Sequence, residues 1–235
     1  MTRRRWIADR VEGDRAYLLD QNANHLFRVL RVKTGQEFEV VAAGAVRLGT
    51  VVFAADNRVE FHLGEELVVP ALPEITAYLS IFKLDRLEWA LEKLTEIGVA
   101  KITPVIAARS GHHLIKAAGT RIPRWRKIAH EATQQSRRAA PPEISQPQGL
   151  TDVIAAVQSD RIVLSETEQG ASLKKALTNC RPPLALAFGP EGGWTLDEIK
   201  MFQTAGWKPA SLGRTILRAE TAAIAAVAVV FAELS

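Results

Sequence analysis

The stretch LALAFGPEGGWTLDE, residues 184–198, contains a strand, a turn and a helix start in one run. Leu184 to Phe188 are uninterrupted apolar residues, the pattern of a strand buried on both faces. Gly189-Pro190-Glu191-Gly192-Gly193 then breaks the strand. Thr195 and Glu198 stand at capping-box spacing, so a helix begins there. Such a junction aims free backbone N–H groups at a ligand. Its glycines let that ligand approach the main chain, and Pro190 stiffens the loop. The turn carries no G-x-x-x-x-G-K-[ST] and no G-x-G-x-x-G, and its charged residue is the anion Glu191, where a phosphate site favours lysine. A ligand of positive character fits better, although the segment by itself is also compatible with an ordinary tight strand-to-helix turn.

Outward from this unit, strands alternate with helices. Ile75–Phe82 reads as a strand, Asp85–Ile97 as a helix with Leu87, Leu91, Leu94 and Ile97 on one face, and Ile102–Ile106 as the next strand. Gly98 is placed to take the left-handed position that ends the helix. A helix around Arg124–Ser136, a strand at Arg161–Ser165 and the 184–198 unit continue the pattern, which predicts a parallel α/β sheet. A second ligand-facing segment, Ser211-Leu212-Gly213-Arg214-Thr215-Ile216-Leu217-Arg218-Ala219-Glu220-Thr221, precedes an Ala-rich terminal helix. Arg218 and Glu220 are polar groups at that helix start; they read as functional residues or as a local surface ion pair.

The first part of the chain has another grammar. Brief β-rich runs at 37–42, 46–53 and 58–63 describe a small β barrel or sandwich, and Val69-Pro70-Ala71-Leu72-Pro73 ends it. Two domains follow, 1–72 and 73–235.

Composition excludes several classes. At 235 residues with 47% hydrophobic and 24% charged residues, the chain is a folded globular protein and not a disordered one. The start, Met1-Thr-Arg-Arg-Arg-Trp, leads into polar sequence, and the longest apolar run, Ala222–Ala232, is 11 residues, against the ~20 a membrane helix needs. These features predict a cytoplasmic protein without a membrane span. One cysteine, Cys180, forms no intrachain disulfide and reads as structural. With five scattered histidines, including the His112-His113 pair that lacks helical ligand spacing, no metal site is expected.

The net charge of +4 is unevenly placed: residues 73–150 hold 12 Lys and Arg against 7 Asp and Glu. Arg121, Arg124, Arg126, Lys127, Arg137 and Arg138 face Glu131, with Trp125, Gln134 and Gln135 interleaved. The segment reads either as a polyanion-binding face, with Trp and Gln meeting bases, or as a solvated helix face. A second cluster comprises Arg3, Arg4 and Arg5, then His25, Arg28, Arg31 and Lys33. There Leu26, Val29 and Leu30 keep helical spacing on one side and leave Arg28 and Arg31 on another.

The strings GPEGGWT and LGRTILRAETA, preceded by KLTEIGV and EATQQSRR and by HLFRVLRVKTGQ near the start, resemble the ribosomal small subunit methyltransferase E family of knotted SPOUT methyltransferases. The resemblance spans nearly the whole chain. Departures are small: Ala219 stands where the family usually has Thr, Trp194 where Phe is common, and Ile97 where Leu is common. Only Ala219 lies close to the chemistry.

The resemblance implies an N-terminal PUA-like RNA-binding domain and a C-terminal trefoil-knotted α/β domain working as a homodimer. It further implies S-adenosylmethionine as methyl donor and N3 of one uridine in the decoding region of 16S ribosomal RNA, in the small ribosomal subunit, as acceptor. Carried over by position, the cofactor pocket comprises Leu164, Glu166, Gly189, Pro190, Glu191, Gly192, Leu212, Gly213, Ile216, Leu217 and Arg218. The RNA-binding set comprises Arg3, Arg4, Arg5, His25, Arg28, Arg31, Arg124, Gln135, Arg137 and Arg138. Uridine N3 must lose a proton before it attacks, so a cation beside the base is needed, and Arg218 is assigned that role with Glu220 or Glu191 as proton acceptor or orienting group. The alternative is a non-catalytic RNA-binding or ribosome-assembly protein that retains the fold. A class I Rossmann-type methyltransferase is disfavoured by the missing G-x-G-x-G loop.

Overall fold

The computed structural model describes residues 5–168 and 170–234. The chain divides into two compact units, one formed by residues 1–71 with 133–140 and the other by 72–132 with 141–235.

In the first unit the elements are β1 (Trp6–Ile7), β2 (Arg10–Glu12), β3 (Arg15–Leu19), α1 (Asp20–Asn24), β4 (Glu37–Ala42), β5 (Ala45–Ala55) and β6 (Arg58–Glu66). The strands pair in the order β1-β4-β5-β6-β3-β2, antiparallel except for β1 beside β4. Trp6, Leu18, Leu26, Val40, Val51 and Phe61 form the core. Gly49 permits the closest packing, since a methyl there would meet Val40 Cγ2 at 2.7 Å, and the pairing of β5 with β6 shifts register at the same point.

The regular helix expected around 25–33 is not what forms. Helix α1 passes into a single π turn at His25–Val29, and Arg31 ends the segment at φ +50°. A π turn advances each residue by less than an α-helix does, so the i, i+3, i+4 face is lost. Leu26 is buried, whereas Val29 is 63% exposed and Leu30 is also on the surface.

Residues 133–140 are tied into this unit through Arg5. Its backbone N–H donates to Gln134 O (3.2 Å), and its Nε and Nη2 donate to Glu39 Oε2 at 2.9 and 2.6 Å. Arg137 pairs with the other Glu39 oxygen. Burial disfavours the Glu39 carboxylate, but hydrogen bonding and charge from Arg5, then Arg137, outweigh it and hold its pKa below the ordinary value.

The second unit contains β7 (Ile75–Ser80), α2 (Leu84–Ile97), β8 (Lys101–Ile106), α3 (His112–Gln135, whose last turn groups with the first unit), β9 (Glu143–Ile144), β10 (Gln148–Gly149), α4 (Leu150–Ala156), β11 (Asp160–Leu164), α5 (Leu173–Leu177), β12 (Leu184–Phe188), α6 (Leu196–Thr204), β13 (Lys208–Ala210) and α7 (Ala219–Leu234). The sheet is parallel, in the order β10-β8-β7-β12-β11-β13, with β9 beside β8. This is the α/β architecture expected, and β12 occupies the residues read from sequence.

Strand β12 is buried along its whole length because both faces of the sheet are covered. Leu184, Leu186 and Phe188 join a core with α2, α3, α5 and α7, while Ala185 and Ala187 join Trp194, Phe202 and Trp207 on the other side. Helix α2 ends where expected: Gly98 has φ +133° and donates its N–H to Leu94 O. A methyl at Gly98 would meet Leu72 Cδ1 at 2.9 Å and the Phe231 ring at 3.0 Å, so glycine serves both the turn and the packing of α2 against α7.

Glu39→Gln is expected to lower stability by about 1 kcal/mol at neutral pH. Because the folded pKa is depressed, this contribution is present above the unfolded-state value of 4.5 and lost as pH falls through the lower folded value. Denaturant titrations of both proteins at pH 7 and below pH 4.5 should show the difference shrinking in acid.

Candidate functional site

In a parallel sheet the carboxyl ends of all strands point to one edge, and there ligands bind. The ends of β11, β12 and β13 lie side by side here, and the segments that leave them, 164–166, 188–193 and 210–219, enclose a cavity of about 400 Å³ with Arg86 and Ala222. Of the cofactor-binding residues expected from sequence, Leu164, Glu166, Gly189, Pro190, Glu191, Leu212, Gly213, Ile216, Leu217 and Arg218 line it. Gly192 does not; its carbonyl accepts from Arg109 Nη1.

The loop between β12 and α6 is fixed from both sides. Thr195 and Glu198 form the expected capping box, with Thr195 N donating to Glu198 Oε2 at 2.8 Å. The other oxygen of buried Glu198 accepts from Ala108 N at 2.7 Å, so the cap also binds the loop to the segment after β8. Trp194 lies beneath Gly189, where a methyl would come within 3.3 Å of the indole. Its Nε1 donates to Leu164 O (3.1 Å) and joins the glycine-rich loop to the end of β11. Gly193 has φ +68°, and a methyl on it would run into Glu166 Oε1. The loop therefore needs glycine at 193 both for conformation and for the neighbouring carboxylate.

Between β13 and α7 the main chain is irregular, and the N–H groups of Leu212, Gly213, Ile216 and Leu217 make no hydrogen bond among the described residues. Unpaired amides at a cavity wall are donors available to a ligand. Ile216 is 84% exposed at the same wall.

Charge in the cavity is arranged around Arg86. Its Nη1 donates to Glu191 Oε1 at 2.8 Å, and its Nε stands 3.7 Å from Oε1 of Glu220, which is buried in the first turn of α7. Arg218 is exposed and makes no side-chain hydrogen bond or ion pair among the described residues. Arg86 was missed by the sequence reading. The signal was present: it occupies the first turn of α2, where a helix dipole favours anions, so a tertiary partner was to be sought.

The basic residues are placed less uniformly. Arg3 and Arg4 lie outside the described residues. Arg5, 7% exposed, is consumed by Glu39 and is a structural anchor; Arg137 pairs with the same carboxylate. His25 packs against the Trp6 ring at 6.0 Å. Arg28 donates to exposed Asp56 at 2.7 Å, and Arg31 and Gln135 are exposed. Arg138 is partly buried, which pulls its pKa down to about 10. In the second unit Arg121 and Arg124 both bond Glu88 of α2. Trp125, interleaved with these cations in sequence, is fully buried: Ala118, Ile122, Trp125 and Ala129 form the helical stripe of α3 that faces the core, so no base can stack on it.

Among the described residues no His, Cys, Asp or Glu group is arranged to hold a metal, and no helix is long and apolar enough to cross a membrane. Cys180 is buried, its thiol bonded to Ala176 O.

Residues 70–231 match the RNA methyltransferase domain family, and residues 18–63 match the RNA methyltransferase PUA domain. Ribosomal RNA small subunit methyltransferase E of Synechocystis is 31% identical, covering 87% of this chain and 69% of its own. The chain belongs to the ribosomal RNA small subunit methyltransferase E family. A second methyltransferase E, from Aquifex aeolicus, is 29% identical over 95% of this chain and 97% of its own. The crystal structure of the Neisseria gonorrhoeae methyltransferase E bound to S-adenosyl methionine superimposes with a TM-score of 0.85 at 27% identity, covering 99% of this chain and 98% of that one. Within the methyltransferase E family, then, the N-terminal sheet is the PUA-like part and the parallel sheet the RNA methyltransferase domain.

Trp194→Phe keeps an aromatic ring but loses the five-membered part of the indole and with it the bond to Leu164 O. It should cost about 1 kcal/mol, read as a lowered chemical-denaturation midpoint with an unchanged denaturant slope.

Proposed function

We propose that this protein methylates N3 of one uridine in 16S ribosomal RNA, with S-adenosylmethionine as donor. The observation that carries the reading is the cavity at the ends of β11, β12 and β13, which combines carboxyl groups with amides and a guanidinium that have no partner among the described residues.

The residues suit such a donor. A mixed apolar and polar cavity of about 400 Å³ lies within the usual size range for ligand sites. The amides of Leu212, Gly213, Ile216 and Leu217 can hold an adenine edge, and exposed Glu166 can accept from ribose hydroxyls. When bound, the donor supplies a methyl group activated by a sulfonium centre. Glu166 and Glu191 at the wall, with Glu220 behind it, outnumber Arg86 and Arg218, and this excess of acid favours a cationic ligand over a phosphate.

Transfer to N3 requires loss of the N3 proton and stabilisation of the charge left on O2 and O4. Arg218 supplies a guanidinium with no competing carboxylate among the described residues, and Glu191 at the cavity wall accepts or orients the proton, whereas Glu220, buried and outside the lining, acts only from behind it. Held in line with the donor's methyl, N3 reacts by direct displacement, so these residues act chiefly by positioning. A covalent route through Cys180 finds no support, since its thiol is buried outside the cavity wall.

In the same reading, residues 1–72 bind RNA and residues 73–235 carry the methyltransferase. Exposed ion pairs such as Arg28–Asp56 hold their cations weakly enough to exchange for phosphate, and Arg31 is exposed beside them. Arg124 is bound to Glu88 by a similar exposed contact. Ser211 bridges Ser172 and exchanges backbone bonds with Ala171 and Leu173, and the trefoil knot of this reading lies in this region. A second copy of the chain would cover Ile216 and complete a homodimeric site. The place of action is the cytoplasm, with the small ribosomal subunit.

Arg218→Ala should reduce methyl transfer about 10²–10³-fold while calorimetry shows near-normal donor affinity. Base-resolved mapping of 16S RNA from cells lacking the native activity checks the product. Methyl on another atom overturns the acceptor assignment, and full activity in the variant overturns the role of Arg218.

A further inference from the structure

Glu220 is 4% exposed, and its Oε2 has no hydrogen-bond partner among the described residues. Such a group needs compensation inside the protein. Two sources are at hand: the amino end of α7, on which Glu220 stands, and Arg86, 3.7 Å from Oε1. The same guanidinium bonds Glu191 at 2.8 Å. One arginine therefore joins three separate segments, α2, the loop after β12 and the start of α7, each of which contributes to the cavity wall. The planar fork of arginine serves two carboxyl groups at once, which the single ammonium of lysine does less well.

We propose that Arg86 is a positioning residue for methyl transfer: it fixes the Glu191 carboxyl group at the cavity wall against buried Glu220 and leaves Arg218 as the guanidinium free for the acceptor base. This rests on the methyl-transfer reading above. Glu191 is partly exposed, and without Arg86 it has no other partner among the described residues. Arg86 thus has two separable effects. Compensation of Glu220 sustains the fold, and restraint of Glu191 shapes the donor site.

Double-mutant cycles separate the two. In an Glu220→Gln background the interior carboxylate is already neutralised, so Arg86→Met no longer leaves a buried charge and the protein stays folded. If Arg86 restrains Glu191, adding Arg86→Met to that background raises the donor dissociation constant about tenfold, the scale of one lost charge-assisted hydrogen bond, and lowers kcat further. In an Glu191→Gln background the same change moves the dissociation constant by less than about twofold, because the restraint is already weakened. Arg86→Lys should fall between wild type and Arg86→Met. Titration calorimetry with S-adenosylmethionine gives the affinities, and single-turnover methylation of 16S RNA gives the rates.

If Glu220→Gln and the double variant bind and react alike, Arg86 only neutralises the interior and the proposal is wrong. If the wild-type protein binds the donor and methylates RNA but the cycles are flat, the assignment of Arg86 alone falls. If the wild-type protein takes up no donor, the underlying reading falls and the proposal with it.

Discussion

The position of β12 between β7 and β11 is the constraint on which the cavity depends. Parallel pairing brings the carboxyl ends of β11, β12 and β13 to one edge, so three loops far apart in sequence form a single wall. Pairing alone does not hold those loops, because each leaves the sheet at its last residue. Two buried side chains do so from the sides: Trp194 donates to Leu164 O, and Glu198 accepts from Ala108 N. An apolar sheet edge is thus converted into a defined polar surface by a few hydrogen bonds shielded from water, where each is stronger than it would be in solvent.

Electrostatic work is divided between the two units. In the first, Glu39 gathers Arg5 and Arg137, and the charges are used to fix residues 133–140. In the second, Arg86 stands between Glu191 and Glu220 at the cavity, while Arg218 has no side-chain partner among the described residues. Surplus arginines in a sequence therefore serve different ends, and only the distribution of acids around them tells which. Glu88, on α2, takes two cations that the sequence of α3 alone leaves open.

Legibility of the fold followed the length and periodicity of each element. Strand β12 and the capping box at Thr195 were legible because an unbroken apolar run and a local S/T-x-x-E pattern are signals complete within a few residues. Gly98 was legible for the same reason. Strands β1, β2 and β9 were not, since two or three residues carry no period, and pairing with distant partners defines them. The segment at 25–33 misled because a π turn preserves the composition of a helix while rotating its faces. Trp125 misled in the opposite direction: it was read with its charged neighbours in sequence, although the stripe from Ala118 to Ala129 has core spacing. Most of the cavity wall was legible from glycine and the family motif; Arg86 was marked in the sequence only as a cation at an unfavourable helix end, and its role was not legible because the acids that create it lie more than 100 residues away.

The Arg86–Glu220 contact bears on how this chain can vary. Losing Arg86 strands Glu220 as an acid in the interior, whereas losing Glu220 leaves Arg86 bonded to Glu191. Neutral drift at these two positions is therefore ordered: Glu220 can be lost first or together with Arg86, but not after it. A homologue that replaces Arg86 should carry a neutral residue in place of Glu220, whereas one that replaces Glu220 is free to keep the arginine.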